Sequence, residues 1–266
     1  MHLKAVVFDW AGTTVDHGSR APMGAFVEVF SQFGVAIGIE EARGPMGLPK
    51  RDHIAALLRD ADIAARWAEA HGAPPGEPDV DRIYEMFVPL NARVVADYGA
   101  LVPGVAETVA ELRRRGLRIG STTGYTRDIM ERLLPVAAAQ GFAPDNLVCA
   151  GDLPLGRPTP HMMYRCFLDL GVWPASAVVK VDDTGPGIAE GLAAGSWTVG
   201  VALSGNAVGL SREELAALGD AERSALRRRA AATLERAGAH YVIDSVADLM
   251  PIIDRIESRL ARGERP

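Results

Sequence analysis

The sequence predicts an α/β protein, an open parallel sheet with an α-helical domain inserted after its first strand. Three observations indicate this fold. Short apolar runs that end at polar or acidic residues recur along the chain, helical patterns lie between most of them, and the stretch from residue 20 to residue 97 contains helical patterns only. Strands that alternate with helices at such spacing are typical of a parallel sheet.

Five apolar runs predict the strands, because each is short, is bounded by turn residues and resembles a strand buried on both faces. The runs are Leu3–Phe8, Leu117–Ser121, Ala177–Val181, Thr198–Leu203 and His240–Ile243. The helices of the core are predicted from apolar residues that recur with the helical period. They are Val105–Arg115, Thr126–Gln140, Pro160–Leu170, Ile188–Ala194, Arg212–Ala237 and Val246–Arg262.

Residues 20–97 interrupt this alternation, because every periodic segment in them is helical. The segments are Pro22–Phe33, Lys50–Ala70 and Asp79–Ala96. A cluster of Gly and Pro at residues 72–76 predicts a loop between the last two. We therefore predict a core domain of residues 1–19 and 98–266 and an inserted helical domain of residues 20–97.

The composition excludes several classes of protein. The chain has 266 residues, 48% of them hydrophobic, which suits one core with an insert. Its net charge of −6 argues against a nucleic-acid backbone as the main partner. Cys149 and Cys166 cannot build a disulfide scaffold or a zinc cluster, and no stretch is long and apolar enough to span a membrane. We expect a cytoplasmic protein without nucleic-acid or membrane partners.

Polar residues stand directly after four of the predicted strands. They are Asp9, Thr123-Gly124, Asp182-Asp183 and Ser204-Gly205. A single aspartate at a strand end more often caps the following helix. Acids at two strand ends, with a hydroxyl-glycine pair at a third, instead predict a site at the carboxyl edge of the sheet. Carboxylates there would bind Mg²⁺, and hydroxyl and backbone N–H groups would bind phosphate.

Three segments at these strand ends resemble motifs of the haloacid dehalogenase (HAD) superfamily. Residues 8–16, FDWAGTTVD, resemble its first motif, residues 120–124, GSTTG, its second, and residues 181–184, VDDT, its fourth. The inserted helices lie where members of this superfamily carry a C1-type cap. The resemblance implies a HAD-like Rossmannoid parallel-sheet core with an inserted α-helical cap domain.

Further segments resemble the phosphonatase family, the phosphonoacetaldehyde hydrolases, within that superfamily. They are residues 41–53, residues 120–127 and Gly156-Arg157-Pro158, and the resemblance extends over nearly the whole chain. It implies hydrolysis of phosphonoacetaldehyde to acetaldehyde and phosphate, with Mg²⁺ as cofactor. It also implies a homodimer formed through the cap. Pro22–Phe33 is apolar enough for that contact, although such a stripe is more often internal core.

The same resemblance implies roles for individual residues. Asp9 would be the nucleophile that takes the phosphoryl group, Lys50 the amine that forms a Schiff base with the aldehyde, and His53 a proton shuttle. The substrate-binding residues by resemblance are Met46, Thr123, Gly124 and Arg157. The metal ligands by resemblance are Asp9, the backbone carbonyl of Ala11 and Asp183, with Asp182 beside them. Met46 and His53 also fit ordinary packed positions.

The residues themselves favour an imine mechanism. Common phosphatases of the superfamily have an acid two residues after the nucleophile, whereas this chain has Ala11 and lacks that proton donor. A bare carbanion is a very poor leaving group, and a protonated imine removes the difficulty because it accepts the electrons of the breaking C–P bond. Lys50 is one of only three lysines among the 28 Lys and Arg residues. An arginine could not form the imine, since it stays protonated.

The fourth motif departs from the phosphonatase pattern, which has Gly before the metal-binding Asp and a second Asp four residues after it. Here Asp182 precedes Asp183, and Gly187 stands at the later position. The superfamily also uses an adjacent Asp-Asp version, so Asp182 is expected to supply the missing charge; otherwise the metal affinity would be weaker. Two alternatives stay open: a HAD phosphatase acting on a small phosphate ester, and a catalytically silent paralogue that binds a phosphonate or a partner protein.

Overall fold

The five predicted strands and one further short strand form a single parallel sheet in the computed structural model, which describes residues 1–266. The strands are β1 (Ala5–Phe8), β2 (Arg118–Thr123), β3 (Val148–Cys149), β4 (Val178–Asp182), β5 (Trp197–Val201) and β6 (Tyr241–Ile243). Their spatial order is β3-β2-β1-β4-β5-β6, and every neighbouring pair is parallel. The first strand therefore lies inside the sheet, and the chain order reverses between β1 and β4.

Twelve α-helices accompany the sheet. Five lie in the inserted segment: α1 (Ala21–Gln32), α2 (Ile39–Arg43), α3 (Lys50–Arg59), α4 (Ala61–His71) and α5 (Glu77–Val94). The other seven are α6 (Val105–Arg114), α7 (Arg127–Ala139), α8 (His161–Leu170), α9 (Gly185–Ala193), α10 (Arg212–Ala217), α11 (Asp220–Arg236) and α12 (Leu249–Ala261). None of them is long and apolar enough to cross a membrane. The prediction of a parallel α/β fold with helices inserted after the first strand is confirmed.

The register of the central strands sets the position of the polar residues that follow them. All four residues of β1 are buried, as expected for a strand covered on both faces. Phe8 at its end lies opposite Ser121 of β2 and Val181 of β4. One step further along, Asp9 and Asp182 therefore emerge side by side at the carboxyl edge of the sheet.

Two predicted helices are each divided in the structure. Lys50–Ala70 breaks at Asp60, whose backbone is extended and whose Oδ1 accepts hydrogen bonds from two N–H groups of the next turn. An aspartate that caps a new helix in this way ends the preceding one. Arg212–Ala237 breaks at residues 218–219, where the backbone is also extended. Helix-forming residues stand on both sides of each break, so the sequence pattern did not show where the helix is interrupted.

The sequence pattern also missed the shortest strand and the shortest α-helix. β3 has two residues and α2 has five, and neither is long enough to show a period. Val246–Arg262 begins with a turn of 3₁₀ helix before α12. The remaining elements are present, with ends displaced by at most three residues.

The inserted helices have a hydrophobic cluster of their own. It contains 19 buried residues between Met23 and Leu90, whereas a cluster of 30 residues surrounds the sheet. The apolar side chains of α1, among them Phe26, Val29 and Phe30, lie inside the smaller cluster. The apolar face of Pro22–Phe33, a possible dimer contact from the sequence, therefore packs as internal core within one chain.

Candidate active site

The carboxyl edge of the sheet brings three aspartates together. Asp9 follows β1, while Asp182 ends the neighbouring β4 and Asp183 follows it. The N–H of Asp9 donates a hydrogen bond to the carbonyl oxygen of Val181 (3.0 Å), which holds the two strand ends side by side. One carboxylate oxygen from each aspartate lies within 4.8 Å of the others. The chain order reverses at this point, and ligands of open α/β sheets bind in the crevice that such a reversal creates.

Burial and mutual repulsion oppose the ionisation of two of these aspartates. Burial, and then the negative charge of Asp182, raises the pKa of Asp9 to about 6. Burial, and then the charges of Asp9 and Asp182, raises the pKa of Asp183 well above its usual value. Burial also raises the pKa of Asp182, but the charges of Arg157 and Lys180 bring that pKa below its usual value. Negative charge is therefore in excess around Asp9 and Asp183.

The guanidinium of Arg157 lies against Asp9. Its Nη1 is 2.8 Å from Oδ1 of Asp9, and its Nε donates a hydrogen bond to Oε2 of Glu190 (3.0 Å). Its Nη2 donates to the carbonyl oxygen of Thr122 (2.8 Å), so the group is fixed from several sides. Arg157 can compensate negative charge at Asp9 and on a ligand beside it.

Two further buried side chains, Lys180 and Glu190, complete this network, and neither was predicted from the sequence. Nζ of Lys180 lies 3.1 Å from Oδ2 of Asp182 and 3.2 Å from Oε2 of Glu190. It also donates a hydrogen bond to Oγ1 of Thr122 (2.6 Å). A lysine two residues before Asp182 in a buried strand shares that residue's face of the sheet. Two features of the sequence could have indicated this pair: Lys180 is a charge inside an apolar run, and Glu190 is an acid among the small residues of α9.

The charges of this network fit a divalent cation. Four buried carboxylates face two buried cations, so full ionisation leaves two negative charges uncompensated. The carboxylates are those of Asp9, Asp182, Asp183 and Glu190, and the cations are Arg157 and Lys180. Unpaired buried charge is strongly unfavourable, and clustered carboxylate oxygens are ligands that Mg²⁺ prefers. The aspartate cluster is therefore suited to hold such an ion.

The side chain of Asp182 occupies the space that a side chain at position 187 would need. A Cβ atom added to Gly187 would lie 2.0 Å from Cγ of Asp182, far closer than any real contact. Thr184 fixes the carboxylate there, since its N–H and its Oγ1 both donate to Oδ1 of Asp182 (3.0 and 2.7 Å). An acid at position 182 and a glycine at position 187 are thus two parts of one arrangement.

A small cavity at this edge of the sheet contains most of the predicted site residues. Its lining residues are Asp9, Ala11, Ser19, Met46, Gly47, Lys50, Thr123, Gly124, Tyr125, Arg157 and Thr184. Seven of these were predicted from the sequence. Asp182, Asp183 and His53 are buried but do not line the cavity. Met46, Gly47 and Lys50 come from the inserted segment, so both parts of the chain build the cavity.

Lys50, the first residue of α3, is buried among apolar and aromatic groups. Its Nζ lies 3.6 Å from Sδ of Met46, 5.1 Å from the ring centre of Tyr125 and 5.6 Å from that of Phe26. Burial lowers the pKa of Lys50 to about 8, although the negative charge of Asp9 acts in the opposite direction. A fraction of the amine is therefore neutral near neutral pH and can attack a carbonyl carbon.

His53 lies one turn after Lys50 on α3. Its ring stacks on Phe26 with 4.0 Å between the ring centres, and its Nε2 lies 2.8 Å from the carbonyl oxygen of Ala42. That contact assigns the proton to Nε2 and leaves Nδ1 as an acceptor, which is buried without a hydrogen-bond partner. Burial, and then the charge of Lys50, lowers the pKa of His53 well below its usual value. The ring is therefore neutral and has one free acceptor.

Two buried hydroxyl groups at the cavity have no hydrogen-bond partner. They are Oγ of Ser19 and Oη of Tyr125, and each is free to bond to a ligand. Tyr125 lines the cavity, whereas Trp10 packs in the core with its ring centre 5.0 Å from that of Phe142. Ser19 was missed because it lies in a connecting loop without any motif.

Comparison with known sequences gives the relatives of this chain. A family model described as haloacid dehalogenase-like hydrolase matches residues 3–195. A phosphonoacetaldehyde hydrolase from Paraburkholderia phytofirmans is 58% identical over 265 residues, which cover 100% of this chain and 99% of the relative. Another from Bordetella pertussis is 50% identical over 266 residues, which cover 100% of this chain and 96% of the relative. The similarity therefore includes the inserted helices as well as the sheet.

A solved structure is similar in fold over the same extent. The crystal structure of a phosphonoacetaldehyde hydrolase-like protein from Oleispira antarctica matches with a TM-score of 0.99 at 45% sequence identity. The match covers 100% of this chain and 96% of that chain. The arrangement of sheet and inserted helices is thus shared with a crystallised relative.

Proposed function

Because this chain belongs to the haloacid dehalogenase-like hydrolase family and resembles phosphonoacetaldehyde hydrolases along its whole length, we propose that it hydrolyses phosphonoacetaldehyde to acetaldehyde and phosphate. The observation that carries this proposal is the cavity lined by both Asp9 and Lys50. A carboxylate and a buried amine in one small cavity suit a substrate whose phosphonate and aldehyde groups are separated by one methylene.

In the first step we propose, the neutral amine of Lys50 attacks the aldehyde carbon. Loss of water then gives an imine between Nζ and that carbon, and the imine nitrogen carries a proton. The lowered pKa of Lys50 supplies the neutral amine. His53 has a free acceptor at Nδ1 and can take up and return the protons that this step moves.

In the second step a carboxylate oxygen of Asp9 attacks phosphorus. A P–O bond forms, the C–P bond breaks, and its electron pair moves into the protonated imine, which becomes an enamine. Asp9 then carries the phosphoryl group as an acyl phosphate. Protonation of the enamine carbon and hydrolysis of the resulting imine release acetaldehyde and restore Lys50. Water attacks the aspartyl phosphate and releases phosphate, so the balance is one water added to one substrate.

The phosphoryl group would be held by groups that already line the cavity. Arg157 is fixed beside Asp9, and the hydroxyl of Thr123 and the N–H of Gly124 lie at the end of β2. We propose that Asp9, the carbonyl oxygen of Ala11 and Asp183 hold Mg²⁺, with Asp182 adding negative charge. When bound, Mg²⁺ supplies charge neutralisation for the phosphoryl oxygens and the nucleophile.

The division of the cavity suggests a role for the inserted helices. We propose that residues 20–97 form a cap domain that closes over a core domain of residues 1–19 and 98–266 and delivers Lys50 to Asp9. We also propose a homodimer in the cytoplasm. Cys149 and Cys166 are both buried free thiols, which suits a reducing compartment. The oligomeric state is tested by light scattering of the purified protein.

The test combines product analysis with two matched lysine variants. Purified protein receives phosphonoacetaldehyde and Mg²⁺, and acetaldehyde and inorganic phosphate are measured together. We expect equal amounts of both products from the wild type and from Lys4→Arg, an exposed position, and neither product from Lys50→Arg. Arginine keeps the positive charge but cannot form the imine.

Other outcomes would favour the alternatives. Phosphate released from p-nitrophenyl phosphate or phosphoglycolate, without cleavage of phosphonoacetaldehyde, would support the phosphatase, although Ala11 gives it no acid for the leaving alcohol. A folded protein without activity on any of these substrates would support the silent paralogue. Metal-dependent turnover that is lost in Asp9→Ala would exclude that paralogue.

A further inference from the structure

Arg43, the last residue of α2, reaches from the inserted helices to the core. Its Nη1 donates hydrogen bonds to the carbonyl oxygen of Gly18 (2.9 Å) and to the two oxygens of Asn206, O and Oδ1 (3.2 and 3.1 Å). Its Nη2 donates to the carbonyl oxygen of Gly209 (3.0 Å). All of these acceptors are uncharged. The guanidinium is therefore held by carbonyl and amide oxygens of two core loops and not by an ion pair.

The contact between Arg43 and the core is close and two-sided. A Cβ atom at Gly209 would lie 2.4 Å from Cζ of Arg43, so the guanidinium lies directly on the glycine backbone. In the opposite direction, Nδ2 of Asn206 donates a hydrogen bond to the carbonyl oxygen of Arg43 (3.4 Å). A lysine could not replace this geometry, because a single ammonium group cannot occupy both guanidinium positions.

Asn206 also touches the proposed metal site. Its backbone N–H donates a hydrogen bond to Oδ2 of Asp183 (2.7 Å), while Oγ1 of Thr13 donates to Oδ1 of the same carboxylate (3.1 Å). One residue thus joins Asp183 on one side to Arg43 on the other. Asn206 is therefore the single residue that stands between Arg43 of the inserted helices and Asp183 of the aspartate cluster.

The segment that begins at Arg43 continues directly to the cavity. Met46, Gly47 and Lys50 line the cavity, and Lys50 starts α3. A Cβ atom at Gly47 would lie 2.3 Å from Oγ1 of Thr184, so this segment also touches the core beyond Arg43. Arg43 therefore binds the core at the start of the segment that carries Lys50 into the cavity.

We propose that Arg43 and Asn206 are positioning residues that dock the inserted helices on the core in the register that sets Lys50 opposite Asp9. The pair does not touch the reacting atoms. It acts through the loop at residues 204–210 and the segment from residue 43 to residue 50. The kinetic part of this proposal rests on the proposed function, whereas the docking contact itself does not.

The test uses Arg43→Lys and Asn206→Ala with three measurements. We expect kcat for phosphonoacetaldehyde to fall about 10- to 100-fold, because small misplacements of reacting groups have effects of that size. Reductive trapping of Lys50 with acetaldehyde and cyanoborohydride needs only the amine, and we expect its rate to stay within about twofold of the wild type. Hydrogen–deuterium exchange in residues 204–210 should become faster in both variants.

The control and the double variant make the result decisive. Arg66→Lys changes an arginine whose three partners, Ala36, Glu41 and Asp62, all lie in the inserted segment, and it should leave kcat and the exchange unchanged. The double variant should lose no more kcat than Arg43→Lys alone, since both changes break one contact. Additive losses, equal losses of trapping and turnover, or unchanged exchange would overturn the proposal. If the wild type does not cleave phosphonoacetaldehyde, the proposed function fails, and the exchange measurement still decides the docking contact.

Discussion

The titration of Lys50 is the property on which the proposed imine chemistry depends most directly. Only the neutral amine attacks an aldehyde, so protonation at low pH removes the nucleophile. Burial lowers the pKa of Lys50 to about 8. We predict that imine formation rises about tenfold per pH unit below that midpoint and is constant above it.

The size of the effect follows from the displaced pKa. At pH 7 about 10% of an amine with a pKa of about 8 is neutral, against about 0.03% at the usual 10.5. Burial therefore raises the reactive fraction roughly 300-fold, which corresponds to about 3 kcal/mol.

Met46 offers a perturbation of this pKa, because its Sδ lies 3.6 Å from Nζ of Lys50. In Met46→Glu a carboxylate about 4 Å from the amine would stabilise the ammonium form by about 4 kcal/mol at an effective dielectric constant of about 20. The midpoint should then rise by about 3 pH units. Met46→Gln has the same shape without the charge and should keep the midpoint within about one unit of the wild type.

The assay is reductive trapping of Lys50 with acetaldehyde and cyanoborohydride across the pH range, followed by intact-protein mass. It measures the amine without phosphoryl transfer. A wild-type midpoint near 10.5, or the same midpoint in the Glu and Gln variants, would show that the surroundings of Lys50 do not control its protonation.

Three further predictions concern the buried charges. Lys180→Met removes the positive charge between Asp182 and Glu190, which leaves more negative charge uncompensated, and should lower the free energy of unfolding by about 3–5 kcal/mol, measured by urea denaturation against the exposed control Lys4→Met. Gly187→Asp alone should abolish Mg²⁺ binding in calorimetry, because the new side chain collides with that of Asp182. Gly187→Asp combined with Asp182→Gly should restore the binding. Binding by the single variant would show that the two side chains do not compete for one space. Mg²⁺ at about 100 times its Kd should stabilise the folded protein by about 2.7 kcal/mol, and an unchanged thermal midpoint after addition of EDTA would contradict a resident ion.

The fold could be predicted from the sequence where period and turn chemistry agree. Buried parallel strands are largely apolar and end at polar residues, so β1 and β4 could be recognised, and with them Asp9 and Asp182-Asp183. β3 could not, because two residues show no period. The break at Asp60 was missed since its capping geometry depends on one extended residue inside a continuous apolar pattern.

The site was predictable only as far as strand ends and motifs reach. The carboxyl ends of parallel strands meet at one edge, which is why residues distant in sequence could be grouped before the structure was known. Lys180 and Glu190 pair across β4 and α9, and no sequence period encodes that packing. The contact between Arg43 and Asn206 joins the end of a five-residue helix to a loop, where neither period nor motif gives a signal.

Two buried lysines show how the same side chain acquires opposite roles from its surroundings. Nζ of Lys180 lies within ion-pair distance of Asp182 and Glu190 and donates a hydrogen bond to Thr122, so oxygen atoms surround it. Nζ of Lys50 instead faces a thioether and two aromatic rings, which stabilise the ammonium form far less than carboxylates do. The first lysine lies in the sheet and the second in the inserted helices. The proposed reaction needs Asp9 of the core and Lys50 of the inserted helices in one cavity, so the two parts of the chain have to meet, which is why the docking of the helices bears on the chemistry.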